Sequence, residues 1–98
     1  MPVQKRIPIK EFCSYHGINT QVIMELESRK LLSLIKENRY YFLPSNQLPL
    51  AEKLIRLHLH LGINLEGIEV ILPLLERLQN LESHLKTLKN RLNFYEDF

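Results

Sequence analysis

The strongest constraint in this 98-residue chain is a leucine repeat near its C-terminal end. Ile71, Leu74, Leu78, Leu81, Leu85, Leu88 and Leu92 follow one another at intervals of 3, 4, 3, 4, 3 and 4, and Tyr95 continues the series. These are the a and d positions of a heptad, so a helix carrying them presents one apolar seam along its length. The residues between them include Gln79, Asn80, Glu82, Ser83, Lys86, Lys89 and Asn90, all polar. A lone helix has nowhere to bury such a seam, and each leucine side chain taken out of water is worth roughly 1.5–3 kcal/mol. The repeat therefore asks for a partner helix, most simply from a second copy of the chain. Folding back onto its own domain is the other way to cover it.

The segment ahead of the repeat predicts a small, mainly α domain. Pro8 can stand in the first turn of a helix, where its missing N–H would have no partner. Ile9, Phe12 and Cys13 then share a face, and Gly17 supplies the positive φ that ends a helix. Asn19 or Thr20 caps a second helix with Val22, Ile23 and Leu26 on its inner side. Two β-prone runs, Leu31–Lys36 and Arg39–Leu43, flank the polar pair Glu37-Asn38 and predict a hairpin. A hairpin behind a helix-turn-helix is a wing. A third helix is expected to start between Ser45 and Pro49 and to run to Leu61, with Leu50, Leu54, Leu57 and Leu61 as its inner stripe and Gly62 closing it. Asn64 caps a fourth helix, and Pro73 inside its pattern predicts a kink or break near Val70–Leu72. The expected division is a winged-helix domain over residues 1–72 and a dimerisation helix over residues 73–98.

Composition narrows the function. Thirteen Lys and Arg against eleven Asp and Glu give +2, without the concentrated basic excess that marks a nucleic-acid footprint. The single Cys13, beside Phe12, leaves no internal disulfide and no multi-cysteine metal site, and reads as a buried structural thiol. Among His16, His58, His60 and His84, the pair His58 and His60 lies two apart on a helix and points about 200° apart. No metal, cofactor or small-molecule site is expected. No nucleophile–base pairing has supporting context, so the chain reads as a binding protein rather than an enzyme. Met1-Pro2-Val3-Gln4-Lys5-Arg6 is not followed by an apolar core of the secretory kind, and a cytoplasmic location is expected.

The second helix carries the functional clue. A DNA-reading helix aims Arg, Lys, Asn or Gln at base edges. Here the first two turns run Thr20-Gln21-Val22-Ile23-Met24-Glu25-Leu26-Glu27, with Gln21 the one suitable side chain and two carboxylates beside it. Arg29, Lys36 and Arg39 could still touch phosphates, and Lys53 and Arg56 could extend them into a weak strip; an ordinary solvated surface accounts for the same residues. Glu25 and Glu27 on the second helix, with Glu66 and Glu69 in the first turns of the fourth, suggest instead an acidic face suited to a basic protein partner. Scattered solubilising charge is the alternative.

The layout resembles a known family. Ile9-Lys10-Glu11-Phe12-Cys13 through Gly17-Ile18, the wing, and Leu61-Gly62-Ile63-Asn64-Leu65-Glu66-Gly67-Ile68 look like the MerR-type winged helix, over roughly residues 7–92. Regulators of that type carry a Thr-Leu-Arg-Tyr-Tyr-Glu-like run on the second helix and a Tyr-Arg-Leu-Tyr-like wing. Here the corresponding runs are Val22-Ile23-Met24-Glu25-Leu26-Glu27 and Tyr40-Tyr41-Phe42-Leu43, without either arginine. Glu11-Phe12-Cys13, Gly67-Ile68, Leu85-Lys86 and Asn90-Arg91-Leu92, taken in order, resemble the CbpM-like chaperone modulators. That resemblance implies a homodimeric adaptor that binds the J-domain of a DnaJ-like (CbpA-type) co-chaperone and blocks its stimulation of a DnaK-type chaperone. The alternative is a MerR-like DNA-binding transcriptional regulator. The acidic contacts Glu25, Glu27, Glu66 and Glu69 are assigned from charge and placement.

Overall fold

The computed structural model describes residues 5–96. Within them the elements run β1 (Arg6–Pro8), α1 (Ile9–His16), α2 (Thr20–Ser28), β2 (Ile35–Glu37), β3 (Tyr40–Pro44), a 3-10 turn (Ser45–Gln47), α3 (Leu48–Ile55), a π turn (Arg56–His60) and α4 (Leu65–Glu96). This is the expected architecture: mainly α, a helix-turn-helix followed by a hairpin wing, and a long C-terminal helix. The chain divides into two compact units, with the boundary between Leu65 and Glu66. The residues that bear on a leader segment, Met1 to Gln4, lie outside the described residues.

The first unit is built on local signals. Gly17 stands at φ 63°, and the Ile18 and Gly17 N–H groups donate to the carbonyls of Cys13 (3.0 Å) and Ser14 (3.3 Å), closing α1 in a Schellman turn. Asn19 caps α2: its Oδ1 accepts from the Gln21 N–H at 2.9 Å. α2 ends in the same way as α1, with Lys30 at φ 61° and the Lys30 and Leu31 N–H groups donating to Glu27 and Leu26. A lysine holds this left-handed position although its Cβ is penalised there.

The described strands form one antiparallel sheet in the order β1-β3-β2. Ile7 faces Leu43, and Lys36 faces Tyr41. β1 has no pattern of its own in the sequence; it takes in Pro8, so Pro8 precedes α1 rather than sitting in its first turn. The hairpin turn is Asn38-Arg39, one position later than Glu37-Asn38. Both residues have positive φ, 53° and 79°, as a two-residue I′ turn requires. Asn tolerates that conformation well; Arg39 does so at some steric cost.

Ile9, Phe12 and Cys13 of α1, Ile23 and Leu26 of α2, Leu43 of β3, and Ala51, Leu54 and Ile55 of α3 are buried, along with Ile18, Leu32 and Leu65. Burial pushes the Cys13 thiol pKa up, which suits an inert core residue. Val22 is half-buried. The third-helix stripe differs from the Leu50, Leu54, Leu57, Leu61 expectation. Leu50 and Leu57 are half-buried and Leu61 is 64% exposed. The buried face is Ala51, Leu54 and Ile55, and the π turn that follows alters the phase on which a regular 3.6 pattern relies. Gly62, at φ 68°, ends this segment as expected.

The second unit is α4. It runs through Pro73 as one helix, so the expected break is not seen. Proline brings no N–H to the ladder and its ring crowds the preceding turn, but with helix on both sides the element continues. Ile68 and Leu72 are buried and Ile71 is half-buried. From Leu74 onward the seam is open: Leu74, Leu78, Leu81, Leu85, Leu88 and Leu92 are each more than half exposed.

Candidate partner-binding surfaces

The four glutamates assigned from the sequence are divided two and two between the units. Glu25 and Glu27 lie two residues apart on α2, so their side chains leave the helix in different directions. Glu25 is about half exposed and accepts from Arg29 Nη2 at 3.1 Å and Nε at 3.4 Å, an i,i+4 ion pair on the surface. Glu27 is half-buried, and its Oε2 accepts the backbone N–H of Leu34 at 3.2 Å. It ties the end of α2 to the entry of the wing, a tertiary duty that no spacing rule announces. Glu66 and Glu69 are exposed on the first turns of α4, three residues apart and therefore on one side of it.

Of the cations proposed for phosphate contact, Arg29 and Lys36 have partners within the chain. Arg29 holds Glu25. The Lys36 ammonium lies 5.6 Å from the centroid of the Tyr41 ring, within cation–π range. Arg39 forms the exposed tip of the hairpin. Arg6, in β1, pairs with Glu37 in β2 and stacks over the Phe42 ring of β3 at 4.6 Å, reaching across the sheet. Lys53 is half-buried and Arg56 exposed.

Two clefts in the first unit were not anticipated. One, of about 500 Å³, lies between the start of α1, the first turns of α2 and the hairpin, and is lined by Met24, Tyr40, Tyr41 and Phe42 among others. Where a DNA reader would carry cations, this surface is mostly apolar and aromatic, with Lys10 and Arg39 at its sides. The run Tyr40-Tyr41-Phe42 was the available signal; the strand alternation gave Tyr41 and Phe42 as sheet residues without showing what they faced. The second cleft, of about 330 Å³, is lined by Ile7, Glu11, Phe12, Tyr15, His16, Leu48 and Glu52.

The histidines are dispersed. His16 packs tilted against Phe12 (4.5 Å) and edge-on to Tyr15 (5.1 Å), and His58 Nδ1 meets the Ile63 carbonyl oxygen at 2.8 Å. Among the described residues no group of three His, Cys, Asp or Glu is placed to hold a metal ion. No helix among them is long and apolar enough to cross a membrane.

A helix-turn-helix, a hairpin wing and a long terminal helix define the class of winged-helix regulatory proteins. A family model described as MerR HTH family regulatory protein matches residues 7–90, most of the chain, and the chain belongs to that family. No curated protein matches it.

Proposed function

We propose that this protein acts by binding another protein, as a CbpM-like chaperone modulator. It would work as a homodimer that occupies the J-domain of a DnaJ-like, CbpA-type co-chaperone and so withholds it from a DnaK-type chaperone. The observation that carries this reading is the surface of α2. In a fold whose regulators need cations on that helix, Glu25 binds back the nearby Arg29, and the adjoining cleft is lined by Met24 and three aromatic residues. Such a surface offers phosphate no concentrated positive charge and suits a partner that brings apolar groups and can compete for Glu25.

The proposed contacts are Glu25, Glu27, Glu66 and Glu69. Glu27 offers the partner its second carboxylate oxygen, since Oε2 holds Leu34. Ile71, Leu74, Leu78, Leu81, Leu85, Leu88 and Leu92 form the dimer seam. Calorimetry with a purified J-domain tests the assignment: charge reversal at Glu25 and Glu66 together should abolish binding, and unchanged binding would reject these contacts.

Family membership itself supports a second reading, a DNA-binding transcriptional regulator using Arg29, Lys36 and Arg39 on phosphates. It requires a gel shift whose affinity falls steeply as salt rises. Absence of any shift at low salt with upstream DNA removes it.

A further inference from the structure

The smaller cleft of the first unit differs from every other charged surface described above. Its floor is apolar, from Ile7, Phe12 and Leu48, and two carboxylates, Glu11 of α1 and Glu52 of α3, flank it. Glu25, Glu27 and Glu37 each serve a contact inside the chain. Among the described residues, Glu11 and Glu52 make no ion pair or side-chain hydrogen bond with the rest of the protein. No lysine or arginine lines the cleft. The charge on its lining is therefore negative; Glu11 also borders the larger cleft, beside Lys10 and Arg39.

The aromatic side of the cleft is also organised. Phe12 is buried, His16 packs on it, and Tyr15 stands edge-on to His16. This run of rings ends in a tyrosine that is 87% exposed. Such exposure leaves a large ring surface in water, with its one described ring contact on His16. An exposed ring and two carboxylates that line one cleft each attract a cation, the ring through its π quadrupole and the carboxylates through charge. An apolar floor adds a place for the methylene stem behind a charged head. At about 330 Å³ the space is at the small end for ligand clefts; it suits one long side chain rather than a cofactor.

We infer that the cleft formed by Glu11, Tyr15 and Glu52 is a docking site for a basic protein partner and receives one of its arginine or lysine side chains. Arginine fits better, since its planar head can stack on the ring while pairing with a carboxylate. Identifying the partner as a J-domain rests on the proposed function; the cation preference rests on the cleft alone.

The test combines two titrations of the full-length protein. A J-domain is titrated by calorimetry into wild type, Glu11→Gln/Glu52→Gln, Tyr15→Phe and Tyr15→Ala. In parallel, a helical arginine- and lysine-rich peptide is titrated while the Tyr15 ring is followed by NMR. The altered side chains are exposed, so thermal melts should coincide with wild type and serve as the folding control. J-domain affinity should fall at least tenfold in the double glutamine variant and about fivefold in Tyr15→Ala, and hold within twofold in Tyr15→Phe, which keeps the ring face. Binding that survives the double glutamine variant unchanged overturns the cleft and leaves the proposed function standing. If wild type does not bind the J-domain, the proposed function fails and the peptide arm judges the cleft. A Tyr15 shift that disappears with Glu11→Gln/Glu52→Gln supports the cleft; no shift in wild type overturns it.

Discussion

The first unit and the tail helix treat apolar surface in opposite ways. In the first unit, α1, α2, β3 and α3 each turn their aliphatic residues inward, and no polar or charged side chain is buried among the described residues. In the tail, six leucines at perfect heptad spacing stay more than half exposed. The helical periodicity is equally clear in both. What differs is whether the chain supplies the opposing surface. Periodicity thus reports an apolar face on a helix, and not whether the same chain covers it.

The largest expected effect separates the two regions directly. Leu81→Asp/Leu85→Asp should convert a dimer to an 11.7 kDa monomer in sedimentation. Four leucines, two per protomer, lose roughly 6 kcal/mol or more of burial, while the wing and its core keep their fold. A monomeric wild type would mean that the seam has no partner to lose. Next comes Leu54→Ala in the first unit. Leu54 is fully buried, so urea unfolding should show a loss of about 2–5 kcal/mol, with no change in sedimentation beyond what unfolding causes.

Smaller effects sharpen the picture within the first unit. Glu27→Ala removes the acceptor of the half-buried Leu34 N–H and should cost about 1–3 kcal/mol, with faster amide exchange at Leu34 as its local signature. Lys30→Gly should stabilise the unit by about 1 kcal/mol in urea unfolding, because glycine holds φ 61° without the Cβ penalty. Glu25→Gln breaks only an exposed i,i+4 pair and should change stability by less than about 0.5 kcal/mol. That small cost makes it a clean probe of partner binding.

Features with a local cause were legible in the sequence. Gly17, Asn19 and Gly62 mark their segment ends because a cap favours a few residue types at one place, whereas Lys30 holds the same left-handed position as the two glycines with no such signal. The a/d leucines were legible for the same reason. Features set by tertiary context were not. β1 is three residues long and ends in a proline, so its pairing with β3 has no pattern of its own. The hairpin turn moved to Asn38-Arg39 because strand register, not turn composition, chose it. Leu61 left the inner stripe where the π turn interrupts the regular period. Glu27 was read as a surface charge because its partner is a backbone N–H seven residues on. The Glu11–Tyr15–Glu52 cleft joins α1 to α3, and neither helix carries half of a recognisable motif.

The Arg6 clasp has a consequence for handling the protein. One guanidinium from the first strand crosses β3 and grips the far edge of the wing, 31 positions along the chain. The wing is therefore braced in part from upstream of the helix-turn-helix. Cutting the chain after Ile7 would remove Arg6 and most of the strand that pairs with β3, leaving a two-stranded ribbon, which is marginal by itself. An affinity tag that crowds Arg6, or a protease acting just beyond it, would be felt first at Asn38 and Arg39. A binding assay on such material would report on a loosened wing.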